Sequence, residues 1–192
     1  MIDLSHTSHK VMHEVLDLSV APVLYTHSSC FALVPSARNV PDEVIEKVKH
    51  NGGLIMISLV PHLTHTNSSK ANAHHVVDHM EHVADRIGFN HVGIGSDYDG
   101  MENGVVEVED VSKLPNLVAC MISRGMSEEN VGKILGGNLI RVMEGVEVAA
   151  EQLRAESVLE DTVKPLWDEQ FRDWVRSLYP NAEKDRRQGK RE

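Results

Sequence analysis

Apolar residues in the first hundred positions alternate between two spacings. Short apolar runs end in polar residues, and each run is followed by a stretch whose apolar positions recur at helical spacing. Ile2-Asp3-Leu4-Ser5-His6 reads as the end of a strand. A helix is predicted from about Ser8 to Leu18, with Val11, Met12, Val15 and Leu16 on one side and Thr7 or Ser8 able to cap it. Pro22-Val23-Leu24-Tyr25-Thr26-His27 is a second strand. Pro41 opens a second helix, Val44, Ile45 and Val48 form its buried stripe, and Asn51-Gly52-Gly53 ends it. Leu54 to Val60 is almost continuously apolar, as in a strand buried on both faces.

A polar loop is expected over Pro61 to Asn72. A third helix follows to Ile87, with Val76, Val77, Met80, Val83, Ala84 and Ile87 on one side and Gly88 as its stop. Val92-Gly93-Ile94-Gly95-Ser96-Asp97 is a fourth strand. Helices are predicted over Pro115–Arg124 and Glu128–Val146, the latter capped by Ser127. Strand followed by helix, repeated with short links, implies an α/β fold with a parallel sheet. Four such βα units amount to half of an eight-stranded, TIM-type (β/α)8 barrel, whose chemistry lies at the C-terminal ends of the strands. From Glu147 onward the chain is charged and helical, with Trp167, Phe171, Trp174, Val175 and Leu178 at helical spacing. The expected division is a partial barrel over 1–147 and a helical extension over 148–192 ending in a disordered basic tail.

Composition narrows this picture. The chain has 192 residues, 41% of them hydrophobic, which fits a globular protein with a sizeable core. The formal net charge of -10 disfavours nucleic acid as a partner. The basic run Lys184 to Glu192 is a solvated tail. Two cysteines, Cys30 and Cys120, cannot build a disulfide framework and are expected reduced and at least half-buried. No apolar run is long enough to span a membrane, and Met1 leads straight into Ile2-Asp3-Leu4 with no signal peptide visible. The compartment stays open.

The twelve histidines change the picture most. Three predicted strands deliver His6, His27 and Asp97 at the same end, and in a barrel these ends converge on one mouth. Imidazoles and carboxylates are good zinc ligands, and a carboxylate beside a metal can take the proton of a bound water. His75, His79 and His82 could also ligate a metal at their spacing on the third helix, but are read as structural or surface residues. His62 and His65 lie in a loop near the mouth, and His9, His13, His50 and His91 are expected at the surface.

Asp3-Leu4-Ser5-His6, Thr26-His27-Ser28-Ser29, Arg38-Asn39-Val40-Pro41-Asp42 and Gly95-Ser96-Asp97-Tyr98-Asp99-Gly100 follow one another at separations that resemble the membrane (renal) dipeptidase family. Asp110-Val111-Ser112-Lys113-Leu114-Pro115 and Gly137-Asn138-Leu139-Ile140-Arg141-Val142 extend the resemblance to about residue 147. Members of that family are zinc dipeptidases on an amidohydrolase-type barrel. The resemblance implies that His6 and His27 ligate one zinc ion of a binuclear pair. It implies that Arg38 holds the substrate carboxylate, and that Asp97 handles the proton during hydrolysis. Asp99 and Gly100 are assigned to loop shape.

The chain also departs from the family pattern. The family's His-x-Asp pair, its bridging glutamate and a substrate-contacting histidine all precede the matched region, so the chain is expected to be the C-terminal half of such an enzyme. Where an aromatic is expected after the third strand stands Pro61-His62-Leu63. The implied function is zinc-dependent dipeptide hydrolysis by a truncated form. The alternative is an inactive half-barrel that dimerises as a homodimer or binds small peptides without turnover.

Overall fold

A computed structural model describes residues 1–156 and 168–178. The stripe residue Trp167 and the basic tail Lys184 to Glu192 lie outside the described residues. Residues Met1–Arg154 form one compact unit.

The sheet of this unit is parallel, in the order β1 (Leu24–Tyr25), β2 (Leu54–Ser58), β3 (Val92–Gly95). Leu24 pairs with Leu54, and Ile55 to Ser58 pair with Val92 to Gly95. The strand expected at Ile2–His6 is reduced to a single bridge between Asp3 and Leu24. Its backbone exchanges only two bonds with β1, Leu4 N to Leu24 O and Leu24 N to Ile2 O, before the chain turns at His6. The described sheet therefore has three strands plus this bridge, one strand fewer than the pattern predicts.

Alternate strand residues point to opposite faces. Tyr25, Ile55, Ile57 and Val92 pack into the main core. That core is shared with α1 (His9–Leu18), α2 (Asp42–Asn51) and α4 (Ala73–Ile87). Leu24, Leu54 and Met56 face the other way, against Leu139, Val142 and Val146. Those three residues belong to α7 (Asn138–Leu153). Ser8 caps α1 through its hydroxyl, which accepts from Val11 N. Asn72 caps α4 in a reciprocal box: its side chain accepts from His74 N and His75 N, and His75 Nδ1 accepts from Asn72 N.

The polar loop Pro61 to Asn72 contains a short helix, α3 (Pro61–Thr64), and a 3-10 turn over Ser68–Lys70. α5 (Leu114–Ser123) forms as expected. The helix predicted over Glu128–Val146 is instead broken. α6 (Glu128–Gly132) passes through a wider turn over Lys133–Gly137 before α7, which runs on to Leu153. The break lets buried Asn138 donate through Nδ2 to Phe89 O (2.7 Å) and Val92 O (2.8 Å). Arg141, one turn further, donates to Gly52 O and Asn90 O. These bonds seat α7 across the N-terminal ends of β2 and β3, opposite the end that carries His27 and Asp97.

Both cysteines are free and buried, as expected. Among the described residues no helix is long and apolar enough to cross a membrane. Glu169–Leu178 form α8, with Phe171, Trp174 and Leu178 exposed.

Candidate active site

The chain turns sharply at the ends of its strands, and the turns carry the candidate residues. His6 follows the Asp3 bridge, His27 lies two residues after β1, and Asp97 two residues after β3. His6 (φ 64°) and Asp97 (φ 61°) both adopt left-handed backbone, which is costly for side chains with a Cβ. Such strain persists where the surroundings enforce it. Two glycines show how close those surroundings are. A Cβ at Gly95 would lie 1.8 Å from Thr26 O, so only glycine lets β3 end against the His27 turn. A Cβ at Gly100 would lie 2.2 Å from Asp97 Oδ1, so glycine there makes room for the carboxylate.

His6 and His27 meet directly. Their Nε2 atoms are 2.8 Å apart, with ring centroids at 4.9 Å. Asp97 Oδ2 lies 4.0 Å from His27 Nε2. Behind His27 stands a polar chain: Thr26 Oγ1 is 2.9 Å from His27 Nδ1 and donates to Asp3 Oδ2 at 2.6 Å. Asp3 Oδ1 also accepts from Ser5 N and Thr26 N. Burial alone would raise the Asp3 carboxyl, but the bonds from Thr26 and Ser5 take it below the ordinary range. The His6 imidazole is held below its ordinary range by burial first, then by Arg38 and His27, against the opposing pull of Asp97 and Asp3.

Arg38 completes the cluster. Its Nη2 reaches His27 O at 3.5 Å, while its Nη1 is buried with no hydrogen-bond partner among the described residues. Burial lowers the guanidinium's affinity for its proton, against Asp97 and Asp3. The neighbouring Asn39 is fully buried and ties the Arg38 loop down. It accepts from Ser29 N and donates to Val34 O and Leu63 O. His6, Arg38 and Asp97 line a cleft of about 660 Å³. His62, Leu63, Met101 and Glu102 also line it.

All four predicted site residues thus come together at one end of the sheet. Of the other histidines, His62 reaches the cleft wall, and His65 stacks on His75 with centroids 4.4 Å apart. His79 is buried: its Nδ1 accepts from Cys30 N and its Nε2 meets Thr64 O. His82 pairs with Asp42 rather than with a metal-like cluster. His91, expected at the surface, is half-buried because its Nδ1 reaches Gly53 O at 2.8 Å. Sequence pattern missed Asp3, Ser5, Thr26 and Asn39. A polar residue at Asp3 inside an apolar strand end was the available signal for the first of them.

Proteins of known kind are similar to this chain. Dipeptidase tcpJ of Claviceps purpurea is 55% identical over 97% of this chain and 44% of its own length. Dipeptidase ataJ of Aspergillus terreus is 44% identical over 91% of this chain and 44% of its own. This chain therefore spans less than half the length of these curated relatives. A solved metallopeptidase of Rhodobacter sphaeroides, liganded with a phosphinate mimic of the dipeptide L-Ala-D-Ala, superposes with a TM-score of 0.72. It is 32% identical, over 76% of this chain and 42% of that one. Residues 1–157 match the family described as membrane dipeptidase, peptidase family M19. The chain belongs to the membrane dipeptidase family.

Proposed function

We propose that this chain carries the second half of a zinc-dependent dipeptidase site on the C-terminal half of a (β/α)8 barrel. The observation that carries this reading is the convergence of four groups: two imidazoles with facing Nε2 atoms, a carboxylate 4.0 Å away, and a guanidinium with an unpaired buried nitrogen. The donor set suits zinc, for which imidazole nitrogen and carboxylate oxygen are good ligands. Two imidazole nitrogens on one tetrahedral zinc ion lie about 3.3 Å apart, given bonds of about 2.0–2.1 Å. The His6–His27 separation of 2.8 Å needs to open only slightly. A catalytic zinc takes about three protein ligands. Among the described residues no three His, Cys, Asp or Glu side chains are grouped to hold an ion. His6 and His27 are therefore a partial set, whose remaining ligands would be the His-x-Asp pair and bridging glutamate that the family carries upstream of the matched region.

Zinc, when bound, supplies Lewis acidity toward the scissile carbonyl and toward water. The chain's own residues do the rest. Arg38 offers its unpaired Nη1 to the C-terminal carboxylate of the substrate, a match of fork to carboxylate. With that carboxylate fixed one residue from the scissile bond, the preferred substrate is a dipeptide with a free C-terminus. Asp97 accepts the proton of the attacking water on a carboxylate oxygen and returns it to the departing amine. Its left-handed backbone and the space left by Gly100 aim the carboxylate at that position. The dipeptide mimic bound by the solved relative supports the substrate class.

Joined to an upstream half that carries the remaining family ligands, the chain supplied with zinc is expected to hydrolyse dipeptides with a free C-terminus and to spare their C-terminal amides. Arg38→Ala should lower kcat/KM by about 10- to 100-fold, mostly through KM, as expected for loss of a charged hydrogen bond. Equal cleavage of acid and amide, or no zinc uptake and no hydrolysis, sinks the reading.

A further inference from the structure

We propose that Asp3 and Thr26 are positioning residues that lock His27 in one tautomer, with its proton on Nδ1 and its Nε2 lone pair presented to a cation. The proposal rests on the reading of His27 as a zinc ligand, but the proton assignment follows from donor and acceptor accounting alone.

The Asp3 carboxylate can only accept hydrogen bonds. Its Oδ2 lies 2.6 Å from Thr26 Oγ1, so the single Thr26 hydroxyl proton points at Asp3. Thr26 Oγ1 also lies 3.4 Å from Ser5 Oγ, but that longer contact to a neutral hydroxyl cannot compete for the same proton. Toward His27 Nδ1, at 2.9 Å, Thr26 has only lone pairs left. His27 Nδ1 must therefore carry hydrogen, and in the neutral ring Nε2 is then bare. Two backbone bonds into Asp3 Oδ1, from Ser5 N and Thr26 N, keep the carboxylate from rotating. Ser5 Oγ, which accepts from His27 N at 3.0 Å, holds the backbone beneath the ring.

The same accounting assigns the facing imidazole. With His27 Nε2 an acceptor, the 2.8 Å contact requires His6 Nε2 to be the donor. No hydrogen bond holds His6 Nδ1 among the described residues, so nothing there opposes a move of its proton. With a cation held between the rings, the His6–His27 bond would be lost and the His6 proton would pass from Nε2 to Nδ1 through solvent, with no change in net charge. His27 needs no rearrangement. One imidazole is preset and the other adapts.

Long-range 15N–1H spectra of the full chain, uniformly labelled, read these protons directly at a pH where both rings are neutral. Metal-free protein should show His27 protonated on Nδ1 and His6 on Nε2. Addition of zinc chloride should switch His6 to Nδ1–H and leave the His27 tautomer unchanged. Thr26→Val keeps the side-chain shape and removes the relay. It should release His27 into a tautomer mixture and weaken zinc binding by about 10- to 100-fold, as for other supporting partners of metal-bound histidine. Thr26→Ser should restore both readouts, which a loss of packing would not allow. The proposal is overturned if His27 carries its proton on Nε2 in the metal-free protein, or if Thr26→Val leaves the tautomer and zinc affinity unchanged. Expected tautomers combined with no response of either ring to zinc would instead overturn the metal reading of the site, and with it the purpose assigned to Asp3 and Thr26.

Discussion

His79 is a histidine almost without access to water, at 1% exposure. It joins two turns that flank the candidate site, through Cys30 N and Thr64 O. Burial pushes its pKa down from 6.5 to about 4. The unfolded chain therefore binds a proton in that window that the folded chain refuses. The stability this residue contributes is complete above about pH 6.5 and is lost as pH falls toward about 4. The full loss is about 3 kcal/mol. Urea midpoints of wild type and His79→Gln, measured at pH 7 and pH 4.5, should separate at the higher pH and draw together at the lower. Parallel shifts in both proteins would show that other groups control the acid response. His6 and His27 are histidines of another kind, held at the strand ends with their Nε2 atoms toward each other. Sequence spacing told these kinds apart only in part. Strand-end position marked His6, His27 and Asp97. Helical periodicity placed His79 on α4, but the partners that make it structural come from residues 15 and 49 positions away.

At the level of elements, strands two to four and the first four long helices were legible because their apolar periods are uninterrupted and helix ends carry Ser8, Pro41, Gly52, Asn72 and Gly88. Two features were not. The first strand shrinks to one bridge because the chain turns at His6 after only two backbone bonds with β1. The predicted fifth helix breaks because Asn138 must reach two carbonyls 46 and 49 residues earlier, a tertiary demand invisible to local period. α4 is the element on which the helical layer depends. Arg86 and His82 tie it to Asp42 of α2, and Arg124 at the end of α5 pairs with its Asp78 and Glu81. Exposed pairs of this kind contribute little each. The cap contributes more reliably: Asn72→Ala should cost about 1 kcal/mol by removing the acceptor for His74 N and His75 N. Thermal unfolding checks this, and an unchanged midpoint would mean that the α4 terminus is held by packing alone.

On the scale of the molecule, the two ends of the sheet are built differently. One end gathers charged and polar side chains in turns, two of them with left-handed backbone. The other is closed by α7, whose Leu139, Val142 and Val146 cover Leu24 and Leu54. Arg141 donates there to Gly52 O and Asn90 O, 89 and 51 residues earlier in the chain. Contacts that close such long loops are made late when a chain folds, after the local βα units have collapsed. α7 also emerges from the ribosome after every strand it covers. The Arg141 anchor should therefore act as a latch on the finished fold rather than as part of its nucleus. Arg141→Ala is expected to speed unfolding in urea several-fold while leaving the refolding rate nearly untouched. A slowed refolding limb would instead mean that the sheet waits for α7 before it forms.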